Sequence, residues 1–97
     1  MTFTYHIDAG HGWLEVPACI VDYLGVHPTK YSYVSDDNSR YYLEEDIDMG
    51  MFLRELKSKN TPYSIKTVED GDYSPIRRLR RIELKLAYQT NEVEDRA

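Results

Sequence analysis

Apolar residues recur at two different spacings along this chain, and the two spacings predict its elements. A period of two runs through residues 2–8 and resumes at 13–16 after a glycine-rich break, which predicts a β-hairpin. A second hairpin is predicted from residues 31–35 and 40–45, which flank a polar turn. The alternation returns once more over residues 63–68 and predicts a further strand.

Two segments show helical spacing instead. Residues 17–24 begin with a proline, which suits the first turn of a helix, and a glycine follows them. In the middle of the chain four apolar residues lie at i, i+3, i+4 and i+7: Met49, Phe52, Leu53 and Leu56. This stripe predicts an amphipathic helix that begins at Asp46 or Asp48, whose carboxylate is expected to cap the free N–H groups of the first turn.

The last third of the chain is open to two interpretations. Ser74 and Pro75 predict a capped helical turn, and from Ile82 the alternation of apolar and polar residues predicts a final strand. One continuous helix from Pro75 also satisfies the apolar positions.

These elements predict a small single α+β domain over residues 1–88. The predicted architecture is an antiparallel sheet of two hairpins plus one or two further strands, packed on two helices. A chain of 97 residues supports one core. Residues 89–97 have little to bury, so we expect a disordered tail there.

Charge and composition exclude several classes of function. The formal net charge is −5, which disfavours non-specific DNA binding because that requires a basic surface. Cys19 is the single cysteine, so no internal disulfide is expected, and we see neither a signal peptide nor an apolar run of membrane-spanning length. A cytoplasmic location is therefore expected.

Two clusters of opposite charge are the candidate binding residues. Once Asp46 and Asp48 are assigned to the helix start, Glu44 and Glu45 have no structural role. We predict that they form an acidic partner-binding surface together with the turn residues, Asp36 and Asp37; a solvated edge is the alternative. Four arginines lie within five positions and are predicted to bind carboxylate or phosphate, or to pair internally: Arg77, Arg78, Arg80 and Arg81.

Catalytic signals are weak throughout the chain. His6, Asp8 and His11 have metal-ligand side chains, but their spacing matches no specific motif. No nucleophile elbow and no phosphate-binding loop is present in the sequence. We therefore expect no cofactor, no metal and no enzymatic activity. The alternative that these residues leave open is a small metal-dependent hydrolase.

Three segments, residues 10–17, 31–33 and 42–46, resemble small proteins of bacterial phages and mobile elements. The resemblance implies an accessory protein, and small acidic proteins in that setting are often inhibitors of host defence, anti-CRISPR proteins among them. The expected function is thus non-enzymatic inhibition of a host protein, such as a nucleic-acid-guided effector complex, through an acidic surface. The expected partner is a protein, with neither direct nucleic-acid binding nor membrane binding favoured. An arginine-centred module for nucleic acid or an acidic protein is the alternative.

Overall fold

The computed structural model describes residues 1–83, which form a six-stranded sheet and two α-helices. A short 3₁₀ helix precedes the last strand. In chain order the elements are β1 (Thr2–Ile7), β2 (Gly12–Pro17), α1 (Ala18–Leu24), β3 (Tyr33–Val34), β4 (Arg40–Glu44), α2 (Asp48–Ser58), β5 (Ser64–Glu69), the 3₁₀ helix (Pro75–Arg78) and β6 (Arg80–Arg81). The predicted α+β class is confirmed. In residues 1–83 neither α-helix has the length and apolar character that a membrane span requires.

The sheet is mixed, so the prediction of an antiparallel sheet is wrong at one edge. The strand order is β5-β1-β2-β4-β3-β6, and every neighbouring pair is antiparallel except β1 and β5, which run parallel. The cause lies in the connection from β4 to β5. It contains α2, and a helical crossover returns the chain in its original direction, so β5 runs parallel to β4 and also to β1.

The main core lies between the sheet and the two helices. Phe3 on β1, Leu14 on β2 and Leu43 on β4 stand on one face of the sheet and are almost completely buried. Phe52 of α2 contacts the Phe3 ring edge-on at a centroid distance of 5.4 Å. Val21 of α1 belongs to the same cluster. The stripe predicted for the central helix is therefore the face that α2 turns to the sheet.

A second, smaller apolar cluster lies on the opposite face of the sheet. Trp13 of β2 and Tyr33 of β3 pack there against Ile76 of the 3₁₀ helix. The Ser74 hydroxyl accepts a hydrogen bond from the Ile76 N–H at 3.2 Å, which confirms the predicted cap. The 3₁₀ helix thereby holds the arginine segment against the sheet.

The described part of the chain also decides between the two interpretations of its last third. The helical turn ends at Arg78 and β6 follows at once, so the single helix from Pro75 is wrong. Strand pairing occurs at residues 80–81, before the predicted start at Ile82. The remainder of that predicted strand and the predicted tail, residues 89–97, lie outside the described residues.

Candidate functional site

Asp8 links the end of β1 to the 3₁₀ helix. Its side chain is inaccessible to solvent, and Arg77 binds both carboxylate oxygens, Nε at 2.6 Å and Nη2 at 2.9 Å. Its oxygens also accept hydrogen bonds from the backbone N–H groups of Gly10, His11 and Ser74. The Arg77 guanidinium and these amides hold the pKa of Asp8 well below its usual range. Asp8 and Arg77 are therefore a fixed structural pair.

Glu44 caps α2. Its carboxylate accepts hydrogen bonds from the backbone N–H groups of Asp46, Ile47 and Asp48 at 2.6 to 2.8 Å. The expectation that Asp46 or Asp48 performs this role is wrong, because neither side chain caps the helix start. Glu44 thus has a structural role that local spacing did not predict, and its carboxylate is already occupied by these three N–H groups.

Asp48 is instead a buried anchor beneath the helix start. Its Oδ2 accepts hydrogen bonds from the Thr29 N–H at 2.8 Å, the Thr29 hydroxyl at 2.9 Å and the Ser32 hydroxyl at 2.5 Å. The Ser32 oxygen in turn accepts a hydrogen bond from the Glu44 N–H. This network fixes the junction of β4 and α2 to the segment before β3.

Glu45 lies at the exposed end of this junction. Tyr5 extends across β2 and its hydroxyl donates a hydrogen bond to Glu45 Oε2 at 2.9 Å. The crossing requires Gly12, because a Cβ there would lie only 2.2 Å from the Tyr5 oxygen. Burial of the phenol is the main cause that raises the pKa of Tyr5 to about 12, and the hydrogen bond to Glu45 is the next largest. One side of the Glu45 carboxylate is thus fixed and the residue remains exposed.

The four arginines of the predicted patch point to different neighbours. Arg80 donates to the Ser35 carbonyl and to Asn38 Oδ1 in the β3–β4 turn. Arg81 donates to the Lys30 carbonyl and lies over the Tyr33 ring, 5.0 Å from its centroid. Arg78 is exposed on the 3₁₀ helix. They therefore do not form the single basic surface that their spacing predicted.

The predicted acidic surface is divided as well. Asp36 and Asp37 belong to the turn before β4, whereas Glu44 and Glu45 lie at its other end. A strand of five residues separates the two groups by about 14 Å. Asp37 stabilises the turn by accepting hydrogen bonds from the Ser35 and Ser39 hydroxyls and the Ser39 N–H. These bonds lower its pKa to about 2.

A cleft of about 390 Å³ brings part of the acidic cluster and part of the arginine cluster together. We call it the junction cleft, and it is lined by His11, Gly12, Trp13, Tyr31, Tyr33, Glu44, Glu45, Asp46, Ile47, Arg77 and Arg81. Arg77 lies over the Trp13 ring at 5.1 Å, so the floor consists of two aromatic rings, each covered by a guanidinium. The segment from Glu44 to Ile47 forms a separate part of the lining.

Besides His11 and Arg81, the exposed side chains of the junction cleft are of two kinds. Tyr31 and Ile47 are large apolar residues with 57% and 54% of their surface exposed. Glu45 and Asp46 are exposed carboxylates. A cleft with both kinds is suited to contact a surface that presents apolar and basic groups together.

The proposed metal ligands do not converge. His6 lies between Glu15, with Nε2 2.8 Å from Oε1, and Asp70, with Nδ1 3.2 Å from Oδ2. Asp8 is bound to Arg77, and the His11 ring packs near Trp13. Within residues 1–83 no group of three His, Cys, Asp or Glu side chains is arranged to hold a metal ion.

Of the predicted binding residues the structure places Glu44, Glu45, Arg77 and Arg81 at the junction cleft, and the sequence predicted neither the aromatic floor nor the role of Asp8. A signal for Asp8 existed, because an aspartate followed by a glycine turn often accepts hydrogen bonds from the turn's own N–H groups. Trp13 and Tyr33 stand on the face opposite Leu14, which indicated a second covered face. What covers that face, the distant 3₁₀ helix, is not encoded in local spacing.

Comparison with known proteins adds no relative. No protein-family model, no curated protein and no solved structure matches the chain.

Proposed function

We propose that this protein is a non-enzymatic binding module that docks on another protein through the junction cleft and inhibits it. The observation that carries the proposal is that exposed carboxylates and exposed apolar side chains line the same cleft: Glu45 and Asp46 beside Ile47 and Tyr31. The partner surface that fits these residues carries a lysine or arginine next to an apolar contact.

Electrostatics supports a basic partner. The whole chain carries −5, so its long-range field attracts positive surfaces and accelerates the encounter. On the opposite side of the cleft, the charge of Arg77 is balanced by Asp8 at 2.6 Å. Local repulsion of an incoming cation is therefore reduced to the contribution of Arg81.

Preorganisation supports docking with little loss of entropy. Glu44 and Asp48 fix the backbone beside Glu45 and Asp46 through hydrogen bonds to backbone and hydroxyl groups. The aromatic floor is held by contacts with Ile76 and the arginines. Because the site is ordered before binding, less of the interaction energy is spent on fixing its side chains.

The biological half of the proposal rests on the resemblance to phage and mobile-element proteins. In that setting the partner is a host protein, and a basic surface that normally holds nucleic acid is the kind that an acidic module would cover. Docking there prevents the host protein from using that surface. The arginine-centred alternative loses support because Arg77 and Arg80 are committed to Asp8 and to the β3–β4 turn.

A capture experiment with matched charge variants tests the proposal. The wild-type protein and a Glu45→Lys/Asp46→Lys variant are immobilised, and bacterial lysate proteins retained by each are quantified by mass spectrometry. The control is Glu69→Lys/Asp72→Lys, which makes the same change of charge at exposed positions outside the junction cleft. We expect a host protein that is retained by wild type and control and lost with the cleft variant.

Two results contradict the proposal. Loss of the partner with both variants would indicate that total charge matters and the cleft does not. Retention by all three proteins would exclude the cleft as the contact. Binding of the purified protein to bare DNA at physiological salt, with a steep salt dependence, would favour the arginine-centred alternative instead.

A further inference from the structure

The outer edge of β5 is an open hydrogen-bonding edge. β5 is the last strand on its side of the sheet and pairs only with β1 among residues 1–83. Five of its six residues are exposed, and Val68 alone is partly covered. Within residues 1–83, its second row of backbone groups therefore has no strand partner.

Hydrogen bonds at the two ends of the strand fix which groups point outward. The Ser64 N–H donates to the Met1 carbonyl at 2.8 Å and the Asp70 N–H to the Ile7 carbonyl at 2.7 Å. Successive residues of a strand direct their N–H and C=O groups to opposite sides. Even-numbered residues thus face β1, and the backbone groups of three odd-numbered residues face outward: Ile65, Thr67 and Glu69.

Of the usual protections against pairing, this edge carries one lysine side chain, Lys66. Natural edge strands are also kept apart by proline, a bulge, short length or inward-pointing charge. β5 has six residues in continuous register with β1 and no proline. Tyr63 and Ile65 add apolar side chains, each 38% exposed, along the same edge.

We propose that a second copy of this chain pairs with this edge, antiparallel and with a two-fold axis at Thr67. That register joins outward-facing residues to outward-facing residues, as an antiparallel ladder requires. Thr67 then lies opposite Thr67 of the second copy, Ile65 opposite Glu69, and Lys66 opposite Val68. No two like charges stand directly opposite one another.

Local charge favours self-pairing at this edge in particular. The chain as a whole carries −5 and repels its copies, but β5 contains one lysine and one glutamate and is neutral. Pairing of one strand edge buries less area than a standard interface of about 1,600 Å², so the dimer is expected to dissociate on dilution. Dimerisation joins two junction clefts in one particle and is independent of what the clefts bind.

Two measurements on the full-length protein test this proposal. Sedimentation equilibrium should give a mass that rises toward twice the monomer value with concentration. Amide hydrogen exchange followed by NMR should slow at high concentration for Ile65, Thr67 and Glu69. Lys66 and Val68, whose N–H groups face β1, should exchange slowly at every concentration.

Substitution on the axis provides the specific control. Thr67→Lys and Thr67→Glu each oppose like charges across the two-fold axis and should be monomeric, while an equimolar mixture of the two should restore the dimer. A wild type that stays monomeric at millimolar concentration overturns the proposal, even if a foreign protein protects the same amides. A dimer that both single variants retain overturns it as well.

Discussion

Asp8 has more bonds than any other side chain of the site, and it lies at the point where the sequence indicated a metal ligand. Its carboxylate satisfies three backbone N–H groups and the fork of Arg77, and it is closed to solvent. Residues with metal-ligand chemistry thus serve here to attach the 3₁₀ helix to the end of β1. The arginine segment reaches the junction cleft because of this attachment.

Replacing Asp8 with asparagine should destabilise the fold. The Asp8→Asn variant leaves the Arg77 guanidinium, 22% exposed, without its counter-charge, and we expect a loss of about 3 kcal/mol in the free energy of unfolding. Urea denaturation measures this loss. The control is Asp72→Asn, an exposed acid in the loop before the 3₁₀ helix, which should change the free energy of unfolding by no more than about 0.5 kcal/mol. Equal stability of the two variants would contradict the role of the pair.

Protonation of the Asp8 carboxylate should lower the stability of the fold at acid pH. Because its pKa is lower in the folded protein than in the unfolded chain, Asp8 contributes stability above the unfolded pKa of about 3.9. That contribution is lost as the pH falls below this value and the folded state takes up the proton. The stability of Asp8→Asn should therefore depend less on pH in this range.

Tyr5 should make the protein sensitive to alkali. The pKa of Tyr5 is raised to about 12 in the fold, against about 10 in the unfolded chain, so the unfolded chain loses the proton first. The stability contributed by the neutral phenol is complete below pH 10 and declines as the pH rises toward 12. Between pH 9 and 12 the free energy of unfolding should decline less steeply with pH for Tyr5→Phe than for the wild type. Identical slopes would contradict the raised pKa of Tyr5.

Among the elements, α2 was the most predictable and its first turn the least. The i, i+3, i+4 spacing located Phe52 and Leu56 in the core, because helical periodicity is a local property of the sequence. The cap was misassigned because Glu44 reaches it from the end of β4, before the helix begins. The parallel pairing of β5 was missed for a related reason: local patterns predict strands but not their neighbours.

Glu44 should be more important for stability than its neighbour. Glu44→Ala removes the acceptor of three N–H groups, two in the turn before α2 and one at its first residue, and we expect a loss of about 1–2 kcal/mol in the free energy of unfolding. In a domain of this size that corresponds to a fall of about 4–16 °C in Tm. Glu45→Ala, which loses one exposed bond to Tyr5, should fall by less than half as much in the same thermal scan. The reverse order would contradict the capping role.

On the scale of the whole molecule, charge and topology together make the candidate site. Local sequence predicted an acidic run and an arginine run as separate surfaces. The fold splits both runs and brings only a part of each to the junction cleft. The backbone of Trp13 on β2 pairs with that of Glu44 on β4, which places the acidic residues beside the Trp13 ring. The 3₁₀ helix packs on the same ring and brings Arg77 with it. Such a union depends on tertiary contacts and has no signature in spacing.

Site-specific photo-cross-linking tests most directly whether the junction cleft contacts a partner. A benzophenone amino acid replaces Tyr31 at the cleft, and in a matched variant it replaces Tyr23, which is 84% exposed on α1. In bacterial lysate, position 31 should give one discrete adduct with a host protein that position 23 does not give, and Glu45→Lys/Asp46→Lys should abolish it. Adducts of equal intensity at both positions, or an adduct that persists in the charge variant, would contradict the proposed function.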